Sequence, residues 1–307
     1  MLIKEYRIIL PIRLEQYQLA QLYMVAKETQ KVTKESNIGE GIEIVKNEPY
    51  EKEKEKGQFT HKVYHIASKL PGWLSTILPE SSMLFVEKAW NAFPVCMTKY
   101  NCPFFTKFNF SVQSIHQQNA GTSENVFNLN KDELKKREVV MIDLANDPYP
   151  KNYEYDIRTK ESKCGVTPLK GKNWIENAQV VMCCYKLVRV EFSYWGFSGK
   201  VESFVHKKAV HETFIDTHRK CLYWADQWWS LKMKDIRKIE KTTQKIYQKK
   251  LRDEKRKKGE KIESPESSSS SSDSEQEKEN EKENEKEKEK EKEKENEEKS
   301  EELNEQK

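Results

Sequence analysis

Apolar residues recur along this chain at two spacings, every second residue in short runs and every third or fourth in longer ones. Residues 2–10, LIKEYRIIL, read as a strand that Pro11 closes. Residues 14–30 have helical spacing, with Leu14, Tyr17, Gln21, Met24 and Val25 on one face. Gly39 and Gly41 mark a turn before a strand at 42–45, and Gly57 precedes another at 59–66. In residues 104–112, FFTKFNFSV, alternation puts Phe104, Thr106, Phe108, Phe110 and Val112 on one face. Further strands are predicted at 138–145 and within 180–195. Residues 70–79 are apolar but broken by prolines, and 146–175 lack any period and read as a loop. Two long helices complete the pattern, at 200–229 and 233–258, the second apolar at Met233, Ile236, Ile239, Ile246 and Tyr247. The expected fold class is α+β: a curved antiparallel sheet gripping long helices, a layout with room for an internal cavity.

Composition divides the chain near Gly259. Residues 259–307 are Ser-, Glu- and Lys-rich, with almost no apolar group and no aromatic one. Such a stretch does not bury enough surface to offset the entropy of ordering, so a folded domain at 1–258 and a disordered acidic tail at 259–307 are expected. The division also changes the charge. Residues 260–307 carry 20 acidic and 10 basic side chains, whereas residues 1–259 carry 45 basic against 31 acidic, a net of +14. A positive body suits an anionic partner, either nucleic acid or a membrane surface. The 6 cysteines form no C-x-x-C pair and no zinc-ligand spacing, which predicts free thiols in a cytoplasmic setting and no metal site. Met1 leads straight into the charged Lys4 and Glu5, unlike a signal peptide. No apolar run approaches the ~18–20 residues of a membrane span, so any membrane contact is expected at the surface.

Four clusters carry candidate chemistry. On the strand 59–66, period two puts Thr60, Lys62 and Tyr64 on one face. If that face points inward it brings an ammonium into an apolar interior; if outward, Lys62 is solvated and Val63 faces the core. Glu87 and Asn91, four apart, share a face if helical and suit polyol hydroxyls, the alternative being an exposed turn. On the last helix Ile236, Glu240, Thr243 and Tyr247 form one stripe, so a carboxylate interrupts a core-facing line. Such a carboxylate needs a partner, for which Lys62 is a candidate, or else it reaches water. Tyr194, Trp195 and Phe197 crowd a strand-to-helix turn, either as an exposed membrane-docking element or as a satellite core cluster. No phosphate loop, G-x-S-x-G, H-E-x-x-H or H-x-E with paired cysteines is present, so no enzymatic activity and no cofactor are predicted.

The segments LIKEYRIILP, NEPYEKEKEKGQFTHKVYH, EKAWNAFPVC, CCYKLVRVEF, VESFVHK and DIRKIE, in this order over about residues 1–250, resemble the class I phosphatidylinositol transfer proteins. The resemblance implies a START-like helix-grip fold enclosing one phospholipid, phosphatidylinositol or phosphatidylcholine, exchanged between membranes in support of phosphoinositide signalling. It implies headgroup contacts at Thr60 and Lys62, Glu87 and Asn91, Thr98, Lys186, Glu240 and Gln21. It aligns a membrane-docking pair of tryptophans with Tyr194 and Trp195. The segment 161–169 diverges from the family, and the acidic tail has no counterpart in it. A monomer that visits membranes transiently is expected. Two rivals stand beside this reading: a related carrier of another phospholipid such as phosphatidic acid, and a basic nucleic-acid module resting on the +14 body and the run KLRDEKRKK at 250–258. The inositol-type residues argue against the first; salt-sensitive RNA binding would support the second, and lipid co-purifying with the protein would count against it.

Overall fold

The computed structural model describes residues 2–36, 40–52, 55–65, 84–194 and 198–258. The expectations for 70–79, for Trp195 and for the tail 259–307 fall outside them. Eight strands form one sheet: β1 (Leu2–Leu10), β2 (Gly41–Lys52), β3 (Glu55–His65), β4 (Leu84–Ala92), β5 (Val95–Cys102), β6 (Phe105–Gln117), β7 (Arg137–Ile142) and β8 (Met182–Phe192). Their order is β2-β3-β4-β5-β6-β8-β1-β7. The α+β class is as expected, with one correction. The sheet is mixed rather than antiparallel, because β7 pairs with β1 in parallel, Ile3 opposite Arg137 and Ile8 opposite Ile142.

Central and outer strands differ as their sequences require. β1 and β8 are covered on both faces and read as nearly continuous buried runs, whereas β3 and β4 are mostly half-buried, with Lys62 and Glu87 as their buried residues. One face of β1 and β8 supports a small cluster of Ile3, Cys183, Tyr185 and Leu187 under Phe127 and Leu129. On that face the buried Glu5 carboxylate accepts from Arg7 and Arg137, each at 2.7 Å, so the charges are paired where water is excluded. The opposite face of the sheet meets the main core and the helices.

The helices are α1 (Leu14–Glu35), the short α2 (Lys131–Lys136) and α3 (Trp174–Asn177), then α4 (Ser198–Phe204), a π-helical segment (Val205–Glu212), α5 (Thr213–Tyr223), α6 (Ala225–Trp228) and α7 (Met233–Lys258). Helix α1 begins where the Arg13 N–H finds the Gln16 side chain at 2.8 Å. Its buried stripe includes Tyr17, Ala20 and Met24, but Val25 is exposed, so the apolar face is narrower than the spacing suggests. The single helix expected over 200–229 is interrupted twice. Residues 205–212 widen to a π-helix, and the chain turns at Trp224, where Trp228 Nε1 donates to the Cys221 carbonyl at 2.8 Å. Alternation along 104–112 holds at Phe108 and Val112 but fails at Phe104, which precedes the strand and is exposed.

Candidate functional site

Strand register assembles the site in rows across the sheet. Lys62 of β3 stands opposite Glu87 of β4, which stands opposite Tyr100 of β5. The next row runs Thr60, Ala89, Thr98, Val112 and Val188. The third runs Gln58, Asn91, Cys96, Ser114 and Lys186. Glu87 and Asn91 thus share a face on a strand, not on the helix that their spacing of four first suggests. The small Ala89 between Thr60 and Thr98 leaves open space in the middle row. Gly57 is required beside the third row, since a Cβ there would collide with the Asn91 carbonyl.

These side chains line one cavity of about 430 Å³, covered by α1, the start of α5 and α7. All eight residues expected at a headgroup line it: Gln21, Thr60, Lys62, Glu87, Asn91, Thr98, Lys186 and Glu240. Its apolar wall includes Leu22, Met24, Ile42, Ile44, Val112 and Phe214. The cavity is therefore amphipathic.

The Thr60, Lys62 and Tyr64 face points inward. Lys62 is 7% exposed and Glu87 6%, with Nζ 3.4 Å from Oε1, and the Tyr64 hydroxyl donates to Glu87 Oε2 at 2.6 Å. Burial and the Glu87 charge push the phenols of Tyr64 and Tyr100 well above their ordinary range, so both stay protonated donors toward the carboxylate. Glu240 also faces the cavity, but its partner is not Lys62. It accepts from Arg237 at 2.8 Å and from Asn47 at 2.7 Å, while Gln58 donates to Asn47 and accepts from Arg237. This network ties α7 to β2 and β3. Arg237 is three residues before Glu240, one helical turn, which the sequence offered as a signal. Asn47 lies past a register shift between Ile44 and Lys46 that no periodicity reveals.

Lys186 differs from Lys62. Its ammonium has only the Ser114 hydroxyl at 3.4 Å and the Phe214 ring at 5.3 Å, and among the described residues it forms no ion pair. Gln21 Nε2 is likewise buried without a partner. Beneath them Tyr17, fully buried, bonds His218 Nε2 at 3.0 Å, and His218 Nδ1 bonds the Phe214 carbonyl at 2.7 Å. Burial and the nearby Lys186 lower His218 to about 3, which keeps it neutral. Burial raises the Cys96 thiol.

Tyr194 is half-buried rather than exposed. Its ring packs on Phe192 at 4.8 Å and Phe105 at 5.4 Å, and its hydroxyl accepts from the Lys107 N–H at 3.3 Å. Among the described residues no group of three or more His, Cys, Asp or Glu side chains stands together, and His65 Nε2 lies 3.3 Å from Glu43. None of the described helices is long and apolar enough to cross a membrane.

An open sheet whose helix-covered face carries one amphipathic cavity defines a class of proteins that enclose an amphipathic molecule. Comparison with known sequences makes the class specific. The profile of the phosphatidylinositol transfer proteins matches residues 1–245, and the chain belongs to that family. It is 46% identical over 259 residues to phosphatidylinositol transfer protein 2 of Dictyostelium discoideum, covering 83% of this chain and 98% of that relative. It is 41% identical over 259 residues to phosphatidylinositol transfer protein 1 of the same organism, covering 82% and 97%. Human membrane-associated phosphatidylinositol transfer protein 2 is 39% identical over 263 residues, 82% of this chain but 19% of that longer protein. The phosphatidic acid alternative is not favoured.

Proposed function

We propose that this protein takes one phosphatidylinositol or phosphatidylcholine molecule from a membrane, encloses it in the cavity between sheet and helices, and releases it to another membrane. The observation that carries the reading is Lys186. A cation aimed into an amphipathic cavity, with no carboxylate of its own among the described residues, is suited to a phosphodiester. The other groups surround that point. Lys62 and Glu87 form a tethered pair that presents both signs, while Thr60, Thr98, Asn91 and Gln21 offer hydroxyl and amide partners to a polyol. Acyl chains favour the apolar wall, each buried CH₂ contributing about 0.8 kcal/mol. A choline headgroup has no hydroxyls for these partners, so it is the less demanding cargo and depends on bridging water. Membrane contact is peripheral and transient, and the carrier acts as a monomer with no chemical step.

The test is transfer of labelled phosphatidylinositol and phosphatidylcholine between vesicles. Thr60→Glu, which adds a charge to the middle row, is expected to abolish phosphatidylinositol transfer and to leave most phosphatidylcholine transfer. Lys186→Ala is expected to reduce both, because both lipids carry the phosphodiester. Equal, complete loss of both lipids in a folded Thr60→Glu protein would contradict the headgroup assignment.

A further inference from the structure

The β5–β6 hairpin closes in a two-residue loop, Pro103 and Phe104, between the paired Cys102 and Phe105. Loops of this length favour glycine, asparagine or aspartate, which suit the turn and stay in water. Here the tip carries a phenyl ring that is 44% exposed. The ring is held in place. It meets Phe105 edge-on at 5.2 Å, and Phe105 in turn packs on Phe192 at 5.0 Å and Tyr194 at 5.4 Å. Backbone bonds lock the same corner, with the Ser193 N–H donating to the Lys107 carbonyl at 3.1 Å. The exposed ring is therefore the outer end of an aromatic ledge anchored in the sheet.

The hairpin itself is positive: Lys107, three residues from Phe104, is exposed, and residues 95–117 carry no acidic side chain. On the neighbouring β8, Glu191 is held by hydrogen bonds from Asn109 and Ser193. Phe104 does not line the cavity. An exposed aromatic ring on a hairpin with an exposed lysine and no carboxylate matches the chemistry of the headgroup level of an anionic bilayer, where rings sit at the apolar boundary and ammonium groups reach lipid phosphates.

We propose that the Phe104 hairpin tip is a membrane contact that inserts its ring into an anionic lipid surface, with Lys107 of the same hairpin facing the lipid phosphates. The proposal rests on the carrier reading above and adds to Tyr194 and Trp195 a docking residue on the hairpin built from β5 and β6. The test uses the full-length chain in co-sedimentation with phosphatidylcholine vesicles, with and without phosphatidylserine, alongside mass spectrometry of bound lipid. Phe104→Ser is expected to weaken vesicle binding about tenfold, and Phe104→Trp to restore it. Lys107→Gln is expected to weaken binding only where phosphatidylserine is present. Bound lipid remains as in the unaltered protein in all three. Vesicle binding by Phe104→Ser equal to that of the unaltered protein would overturn the proposal, as would loss of its bound lipid, which would give Phe104 a role in the fold instead. An unaltered protein that carries no lipid would count against the carrier reading, and the Phe104 comparison would still decide the hairpin.

Discussion

Lys62 and Lys186 are two cations in one cavity with different situations, and the difference is testable. Lys62 is committed to Glu87, so Lys62→Met strands a buried carboxylate, which is destabilising by about 3–5 kcal/mol. Adding Glu87→Gln should recover most of that loss, since a neutral amide still has the Tyr64 hydroxyl as partner. Denaturant unfolding of the two single variants and the double variant checks this, and additive losses would contradict the pairing. The buried histidines set a pH dependence. Burial holds His218 at about 3 and His206 at about 4, below the ordinary 6.5. Between these values and 6.5 the unfolded chain binds protons that the folded one refuses, so stability falls as pH drops from 7 toward 5. The slope approaches about 1.4 kcal/mol per pH unit for each histidine. His218→Gln should flatten that slope in unfolding experiments at pH 7, 6 and 5; an unchanged slope would contradict it. At this scale much of the site is legible in the sequence. Period two alone puts Thr60, Lys62 and Tyr64 together, and the i,i+3 spacing points to Arg237 beside Glu240, whereas its second partner Asn47 is not legible, because Asn47 reaches it only past the bulge after Ile44.

Helix α7 is fastened to the sheet by few polar contacts near the cavity. Arg237 joins Glu240 and Gln58, and Asn47 joins Glu240, so a single substitution releases a shared tie between α7, β2 and β3. Arg237→Ala should speed amide exchange along 233–250 by about tenfold, the result of losing about 1–2 kcal/mol of local closure. Exchange unchanged in α7 would show that apolar contacts at Ile236 and Tyr247 hold it instead. Most elements were legible because their periods are strong, as in β1 and α7. The π-helical widening at 205–212 was not, since its side chains keep a helix-like order of apolar and polar residues while the backbone hydrogen bonds change. The parallel pairing of β7 escaped for a related reason. Alternation in residues 138–145 fixes a strand but says nothing of its direction beside β1.

At the scale of the whole molecule, the sheet acts as a ruler. Adjacent strands spaced about 4.8 Å apart put Asn91 and Lys186, three strands apart in one row, roughly 14 Å from each other. In the proposed reading that distance would give a headgroup and its phosphodiester separate stations on one face of the sheet, which α1, α5 and α7 cover. The central claim is that this cavity holds one phospholipid per chain with its phosphate at Lys186. Native mass spectrometry of the protein after incubation with vesicles of phosphatidylinositol and phosphatidylcholine tests it most directly. The account predicts a single added mass of one phospholipid, phosphatidylinositol among those bound, and largely bare protein for Lys186→Ala. A protein that stays bare after incubation, or a Lys186→Ala variant loaded as fully as the unaltered chain, would contradict it.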